Sequence, residues 1–319
     1  MKKIAFLFTG QGSQFVNMGQ NLYEKYEPFK NIFDIASKKL NINLIDICKD
    51  EKELKKTNNA QAAIFAMSYA IFKLLKNENI KPNAMAGFSL GEITALAASE
   101  IINFEDALEL ISIRGETMQK ACEQNPGAMY SIIGAEEKQI EEVCETISQS
   151  HGYVTTANYN CPGQTVISGE IETANMAAKM LSEKKFRTIK LDVAGAFHSK
   201  LMETDHSKLI EYIKTLNFKK PIYEIYSNMT GKKFEFGENI KSFMIDYIPK
   251  HIISPVKFKT ELENMNSDGY NTFVEIGAGR VLSGFVKKTC ENAMIINICD
   301  CATFEAALET LKNVSRETF

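Results

Sequence analysis

Short, unbroken apolar runs alternate along this chain with longer stretches in which apolar residues recur every three or four positions. The runs at 4–8, 85–88, 272–276 and 294–299 show no polar alternation, as expected of strands buried on both faces. Residues 60–76 and 105–121 carry the helical period instead. Strands alternating with long helices predict an α/β fold with a mostly parallel sheet covered on both sides. The middle of the chain has another rhythm: strand at 129–134, helix at 136–149, strand at 153–157, a CPGQ turn, strand at 165–169, helix at 171–185 and strand at 187–193. That βαββαβ order is the ferredoxin-like pattern. Because α/β order resumes after Gly195, residues 125–194 are predicted to form a subdomain inserted into a core of residues 1–124 and 195–319. A ligand cleft is expected between the two.

Composition narrows the function classes. A 319-residue chain that is 45% hydrophobic and 24% charged, with a net charge of -3, is an average globular protein without a basic field for nucleic acid or anionic lipid. The opening MKKIAFLFTGQGSQ has too short an apolar run for a secretory signal and no small-residue cleavage site, so it reads as a first strand. No run approaches the roughly eighteen apolar residues needed to cross a bilayer, and a cytoplasmic location is expected. The seven cysteines are scattered without a CxxC pair; they read as reduced thiols, Cys299 and Cys301 as residues of a late strand, and no metal site is expected.

Candidate chemistry begins at Gly87-Phe88-Ser89-Leu90-Gly91, which follows an apolar run and opens a helical stretch. A G-x-S-x-G between strand and helix places the serine on a tight elbow, with its hydroxyl exposed and the next N–H free as an oxyanion donor. Serine needs a base, and there are four histidines. His151, beside a loop glycine, and His206, in a polar stretch, read as surface residues. His198, in Gly195-Ala196-Phe197-His198-Ser199, is either the base or a satisfied core histidine. On the helix expected after an Asn103 cap with Asp106, Arg114 falls in the apolar stripe of Leu110, Ile111 and Met118. A guanidinium facing a core must find an anion: a carboxylate of this chain, or the free carboxylate of an acyl substrate. The loop Gly10-Gln11-Gly12-Ser13-Gln14 lacks a phosphate-loop ending and fits an oxyanion-hole loop better. Gly277-Ala278-Gly279-Arg280 reads equally as turn chemistry or as active-site wall.

Together FTGQGSQ at 8–14, GFSLGE at 87–92, Arg114 in IRGETMQ, NYNCPGQTVISG at 158–169, GAFHS at 195–199 and EIGAGRVLSG at 275–284 resemble the malonyl-CoA:acyl carrier protein transacylases of fatty acid synthesis, in order and over essentially the whole chain. The resemblance implies an α/β-hydrolase-like core and a ping-pong reaction with malonyl-CoA and the phosphopantetheine thiol of an acyl carrier protein as substrates. It makes Ser89 the nucleophile, His198 its base, and Gln11 and Leu90 the oxyanion N–H groups. Arg114 pairs with the malonyl carboxylate, Gln61 and Met118 lie by the acyl pocket, and Phe197 crowds an α-methyl branch. No cofactor or metal is implied, and a monomer without nucleic-acid or membrane partners is expected.

Two positions depart from the family pattern. Phe88 replaces the histidine of GHSLGE. His251 replaces the glutamine whose main-chain carbonyl orients the base, a role the backbone of His251 can keep. Three competing readings carry their own discriminators. An α/β-hydrolase-type esterase needs an acid between serine and histidine in chain order and has no use for Arg114. A discrete acyltransferase for polyketide synthesis differs only in its carrier. A non-catalytic carrier-binding protein has no need of Ser89, His198 and Arg114 together.

Overall fold

A computed structural model of the protein describes residues 3–316; the outer ends of the expected core boundaries, residues 1–2 and 317–319, lie outside the described residues. Among the described residues nine strands form two sheets: β1 (Lys3–Phe8), β2 (Ala84–Gly87), β3 (Gly127–Ile133), β4 (Val154–Cys161), β5 (Gln164–Glu170), β6 (Arg187–Lys190), β7 (Glu224–Ile225), β8 (Tyr270–Ile276) and β9 (Met294–Ile298). The larger sheet has the order β7-β2-β1-β8-β9 and is parallel throughout. Parallel strands are buried on both faces, and β1 beyond Lys3 is wholly buried, as its apolar run predicts.

Helices supply the cover. Thr57–Asn77 and Phe104–Gln124 pack together, and every residue of Leu90–Ala98 is buried, the signature of a helix inside a core rather than on a surface. Asn103 caps Phe104–Gln124 as expected, its side chain accepting from the Asp106 N–H at 2.8 Å. The β1 register matches Phe8 to both Gly87 and Ile276. Three strands therefore end at one level, and their loops emerge side by side at the carboxyl edge where open α/β sheets bind ligands.

The smaller sheet is antiparallel, in the order β4-β5-β3-β6. Helices Glu137–His151 and Ile171–Glu183 cover one face, burying Ile132, Ile140, Val143, Ile167 and Leu181 together. Because strand side chains alternate, Met129 and Ser131 of β3 turn the other way, toward the large sheet. Backbone hydrogen bonds between Tyr159 and Val256 (2.8 Å) and between Val256 and Ala157 (2.9 Å) stitch the two units together.

Several boundaries differ from expectation. β6 stops at Lys190 and the chain runs on irregularly through Leu191 and Val193, which pack against the main core from the edge of the cleft. The two-residue β7 and the helix Ile240–Ile253, with Pro249 inside it, carry no readable sequence signal, one being too short for a period and the other holding a helix breaker.

Candidate active site

β2 ends at Gly87 and the Leu90–Ala98 helix begins three residues later, so the chain reverses at Phe88 and Ser89. Ser89 takes φ 52° and ψ -104°, a strained conformation that persists only where the surroundings over-determine it. The flanking glycines allow the close approach. A Cβ on Gly87 would sit 1.9 Å from the Gly91 carbonyl carbon, and one on Gly91 would sit 2.1 Å from the Phe8 carbonyl oxygen. Phe88, where the resemblance implies histidine, packs its ring on Phe258 and Phe285 at centroid distances of 5.4 and 6.0 Å.

His198 Nε2 lies 2.7 Å from Ser89 Oγ, while His198 Nδ1 lies 3.0 Å from the Ser254 carbonyl oxygen. A carbonyl only accepts, so Nδ1 carries the proton and Nε2 is bare, ready to take the serine proton. Burial, together with the charge of Arg114, lowers the imidazole pKa to about 4, so the ring is neutral at pH 7. No acid touches it among the described residues.

The Ser254 carbonyl is the acceptor at hydrogen-bond distance, and the expected His251 main chain acts on the same ring as a second, smaller contribution. The helix Ile240–Ile253 ends with Ser254 as its cap; its last carbonyls have no helical donor, and Pro255 has no N–H to offer His251. The resemblance thus located the correct turn of chain, and helix termination decides which carbonyl meets the ring.

Arg114 is 1% exposed. One terminal nitrogen donates to Gln61 Oε1 at 2.9 Å, the other to Ser89 Oγ at 3.3 Å, and Nε has no partner. The internal ion pair weighed for this residue does not form: among the described residues no carboxylate bonds the guanidinium. Glu92 acts on it only at longer range, and Glu92 itself is pushed up to about 8 by burial. Desolvation brings Arg114 down to about 10, which leaves it cationic at pH 7. Gln61 also donates to Gln11 Oε1 at 3.1 Å and meets the Met118 sulfur at 3.6 Å.

Leu90 opens its helix, where N–H groups have no intrahelical acceptor and the helix dipole favours negative charge. Among the described residues neither its N–H nor that of Gln11 is paired, and a Cβ on Gly10 would come 2.3 Å from the Phe88 carbonyl oxygen, so the two loops touch. Both N–H groups are available to a developing oxyanion.

Part of this set borders a cleft of about 240 Å³ between the sheets, while Arg114, Gln61 and Leu90 are not among its lining residues. Ser89, His198, Gln11, Met118 and Phe197 line it from the large unit, and Ser131, Asn158 and Asn160 from the small one. Gly277–Arg280 forms a turn, with φ 130° at Gly277 and 72° at Gly279, and the residues after it, not these four, reach the cleft. Glu275 accepts from the N–H groups of Leu282 and Ser283 at 2.9 and 2.8 Å, and Val281, Leu282 and Phe285 wall the cleft. His151 is exposed and His206 half-buried, both away from the cleft. Sequence reasoning missed Ser254 and a buried set behind the elbow: Asn228, which meets the Ser89 N–H across 139 residues without a spacing signal, and the Glu92 and Glu261 carboxyls bonded to Asn228.

The acyl transferase domain family matches residues 5–309. The chain is 38% identical over 315 residues to a malonyl CoA-acyl carrier protein transacylase of Bacillus subtilis (strain 168), covering 98% of each. Its fold is similar to the crystal structure of the malonyl CoA-acyl carrier protein transacylase from Clostridium perfringens, with a TM-score of 0.91, 34% identity and 99% of each chain covered. It is similar also to a malonyl-transacylase solved in complex with its type II PKS acyl-carrier protein, with a TM-score of 0.90, 32% identity, and 97% of this chain and 100% of that chain covered.

Proposed function

We propose, from the premise that this chain belongs to the acyl transferase domain family and within it to the malonyl CoA-acyl carrier protein transacylases, that it moves malonyl groups from coenzyme A to an acyl carrier protein by way of Ser89. The product is the extender unit of fatty acid synthesis. The observation that carries the acyl preference is Arg114, a buried cation beside Ser89 Oγ with an unpartnered Nε and no carboxylate of its own. An acyl chain ending in a carboxylate supplies the missing anion.

In the first half-reaction Ser89 Oγ attacks the malonyl thioester carbonyl while His198 Nε2 takes the hydroxyl proton. The Leu90 and Gln11 N–H groups hold the oxyanion. The C–S bond breaks, the coenzyme A sulfur takes the proton from His198, and a malonyl-serine ester remains. In the second, the carrier's phosphopantetheine thiol gives its proton to His198 and attacks the ester, and Ser89 Oγ leaves and recovers the proton. The thioester is already activated, so the steps balance without a cofactor. Phe197 in the cleft wall crowds an α-methyl branch.

The strand order β6-β3-β5-β4 supports reading residues 125–194 as a ferredoxin-like insertion, and the strand-elbow-helix on a parallel sheet supports a hydrolase-like core. Ser89, His198 and Arg114 come from one chain, so a monomer suffices. No described helix is long and apolar enough to cross a membrane. Intact-mass measurement after incubation with malonyl-CoA tests the reading: one malonyl adduct is expected on the wild type and none on Ser89→Ala, and an adduct persisting in that variant places the nucleophile elsewhere.

A further inference from the structure

Behind Ser89, on the side away from the cleft, lies a side chain that the transfer chemistry does not use. Asn228 follows β7 and is fully buried. Its Oδ1 accepts from the Ser89 N–H at 2.7 Å and lies 3.2 Å from His251 Nε2. Its Nδ2 donates to the Gly87 carbonyl at 2.7 Å and to Glu261 Oε1 at 2.7 Å. Its own N–H donates to Glu92 Oε2 at 2.6 Å. Every donor and acceptor of the amide is thus engaged.

The direction of that amide is forced. Ser89 N–H can only donate and the Gly87 carbonyl can only accept, so exchanging Oδ1 and Nδ2 would break both bonds. His251 must then present Nε2–H, which leaves its Nδ1 bare, in accord with that atom's having no partner. Burial holds the Glu261 carboxyl well above, and the His251 imidazole well below, their ordinary ranges, which disfavours charge on both of these neighbours of the amide.

We propose that Asn228 is a positioning residue for the transfer: by gripping the backbone on both sides of the elbow it holds Ser89 in its strained turn and turns the Ser89 N–H inward, leaving the Leu90 N–H to face the reacting carbonyl. The two bonds span 139 and 141 residues, so the tertiary fold, not the local glycines alone, sets where Oγ stands. The assignment rests on Ser89 being the nucleophile.

The test compares the full-length wild type with Asn228→Asp, which keeps the shape but replaces the Nδ2 donor, Asn228→Ala, and Glu261→Gln, which keeps an acceptor for Nδ2. Two quantities are read per folded molecule: kcat and KM for malonyl-CoA, and the rate at which a small organophosphorus fluoride labels Ser89. Both Asn228 variants are expected to lose about 100-fold in kcat with labelling slowed in parallel, since small misplacements of a reacting group cost that much. KM should move by less than about threefold, because ground-state binding is untouched. Glu261→Gln should stay within about threefold of wild type in both readouts. Wild-type kcat and labelling per folded molecule in Asn228→Asp would overturn the proposal. Should neither Asn228 variant fold, Glu261→Leu, which leaves Asn228 in place but removes its acceptor, must slow labelling by about threefold or more, and unchanged labelling there overturns the proposal instead. Wild-type label found on another residue would refute the nucleophile assignment, a different failure from equal labelling of Ser89 in wild type and variant.

Discussion

Two buried polar clusters meet at Ser89 from opposite sides, and they differ in what they leave open. On the inner side, the Asn228 amide is bonded at every position, and desolvation disfavours charge on its neighbours Glu261 and His251. Beside Ser89 Oγ, Arg114 keeps its charge and, among the described residues, bonds only neutral groups and leaves Nε without a partner. Leaving a buried charge without its counter-ion is costly, and a fold tolerates it where a ligand completes the pair. The inner cluster closes around the Asn228 amide and leaves only Glu92 Oε1, Glu261 Oε2 and His251 Nδ1 without hydrogen bonds at its margin among the described residues; the outer one lacks a partner for a charge, and the partner it lacks is an anion.

The sharpest way to break this contrast is to remove the unpaired cation. Arg114→Ala is expected to lower malonyl loading of Ser89 by about 100-fold or more while leaving acetyl loading equal or higher, as for loss of a preorganised charge-assisted contact. Loading assays with an unchanged malonyl preference would take Arg114 out of the site.

Next in size is the pH response of His198. Its folded pKa of about 4 lies below the ordinary value of about 6.5, so loading should hold level from pH 7 to about 5 and fall toward tenfold per unit below about 4. A limb centred near the ordinary value would mean that His198 is solvated or is not the base. The sign for stability follows. Between those two values the unfolded chain binds a proton that the folded chain refuses, so the contribution of His198 is intact above the unfolded value and is lost as pH falls through the window.

Gln61 joins Arg114 to Gln11 without bearing charge. Gln61→Leu is expected to cost about tenfold in malonyl loading, mainly through a looser guanidinium. A loss equal to that of Arg114→Ala would mean that the glutamine itself holds the acyl group.

The smallest effect sits on the inner side. Glu92 is raised from 4.5 to about 8, so between those values the folded chain keeps a proton that the unfolded chain sheds. Its contribution to stability is present at low pH and declines as pH rises toward about 8. Glu92→Gln should flatten that decline, narrowing the drop in Tm between pH 6 and 9 by about 2–4 °C. Parallel Tm curves for wild type and variant would show that Glu92 is already ionised and that the inner cluster is not neutral.

The sequence by itself determined the buried strands, the elbow and the candidate side chains Ser89, His198 and Arg114. Buried strands announce themselves as apolar runs, and the GxSxG elbow is local geometry, because Gly87 and Gly91 are the residues whose Cβ atoms would collide with backbone. Arg114 stood out because a cation in an apolar helical stripe breaks the pattern. The tertiary structure alone decided which carbonyl holds His198, since that depends on where the Ile240–Ile253 helix ends, and whether Arg114 would find a carboxylate of its own. It alone also brought Asn228 beneath Ser89, because hydrogen bonds across 139 residues leave no trace in periodicity or spacing. Local sterics and burial periods are written into neighbouring residues; the meeting of distant polar groups is set by the packing of the elements that carry them.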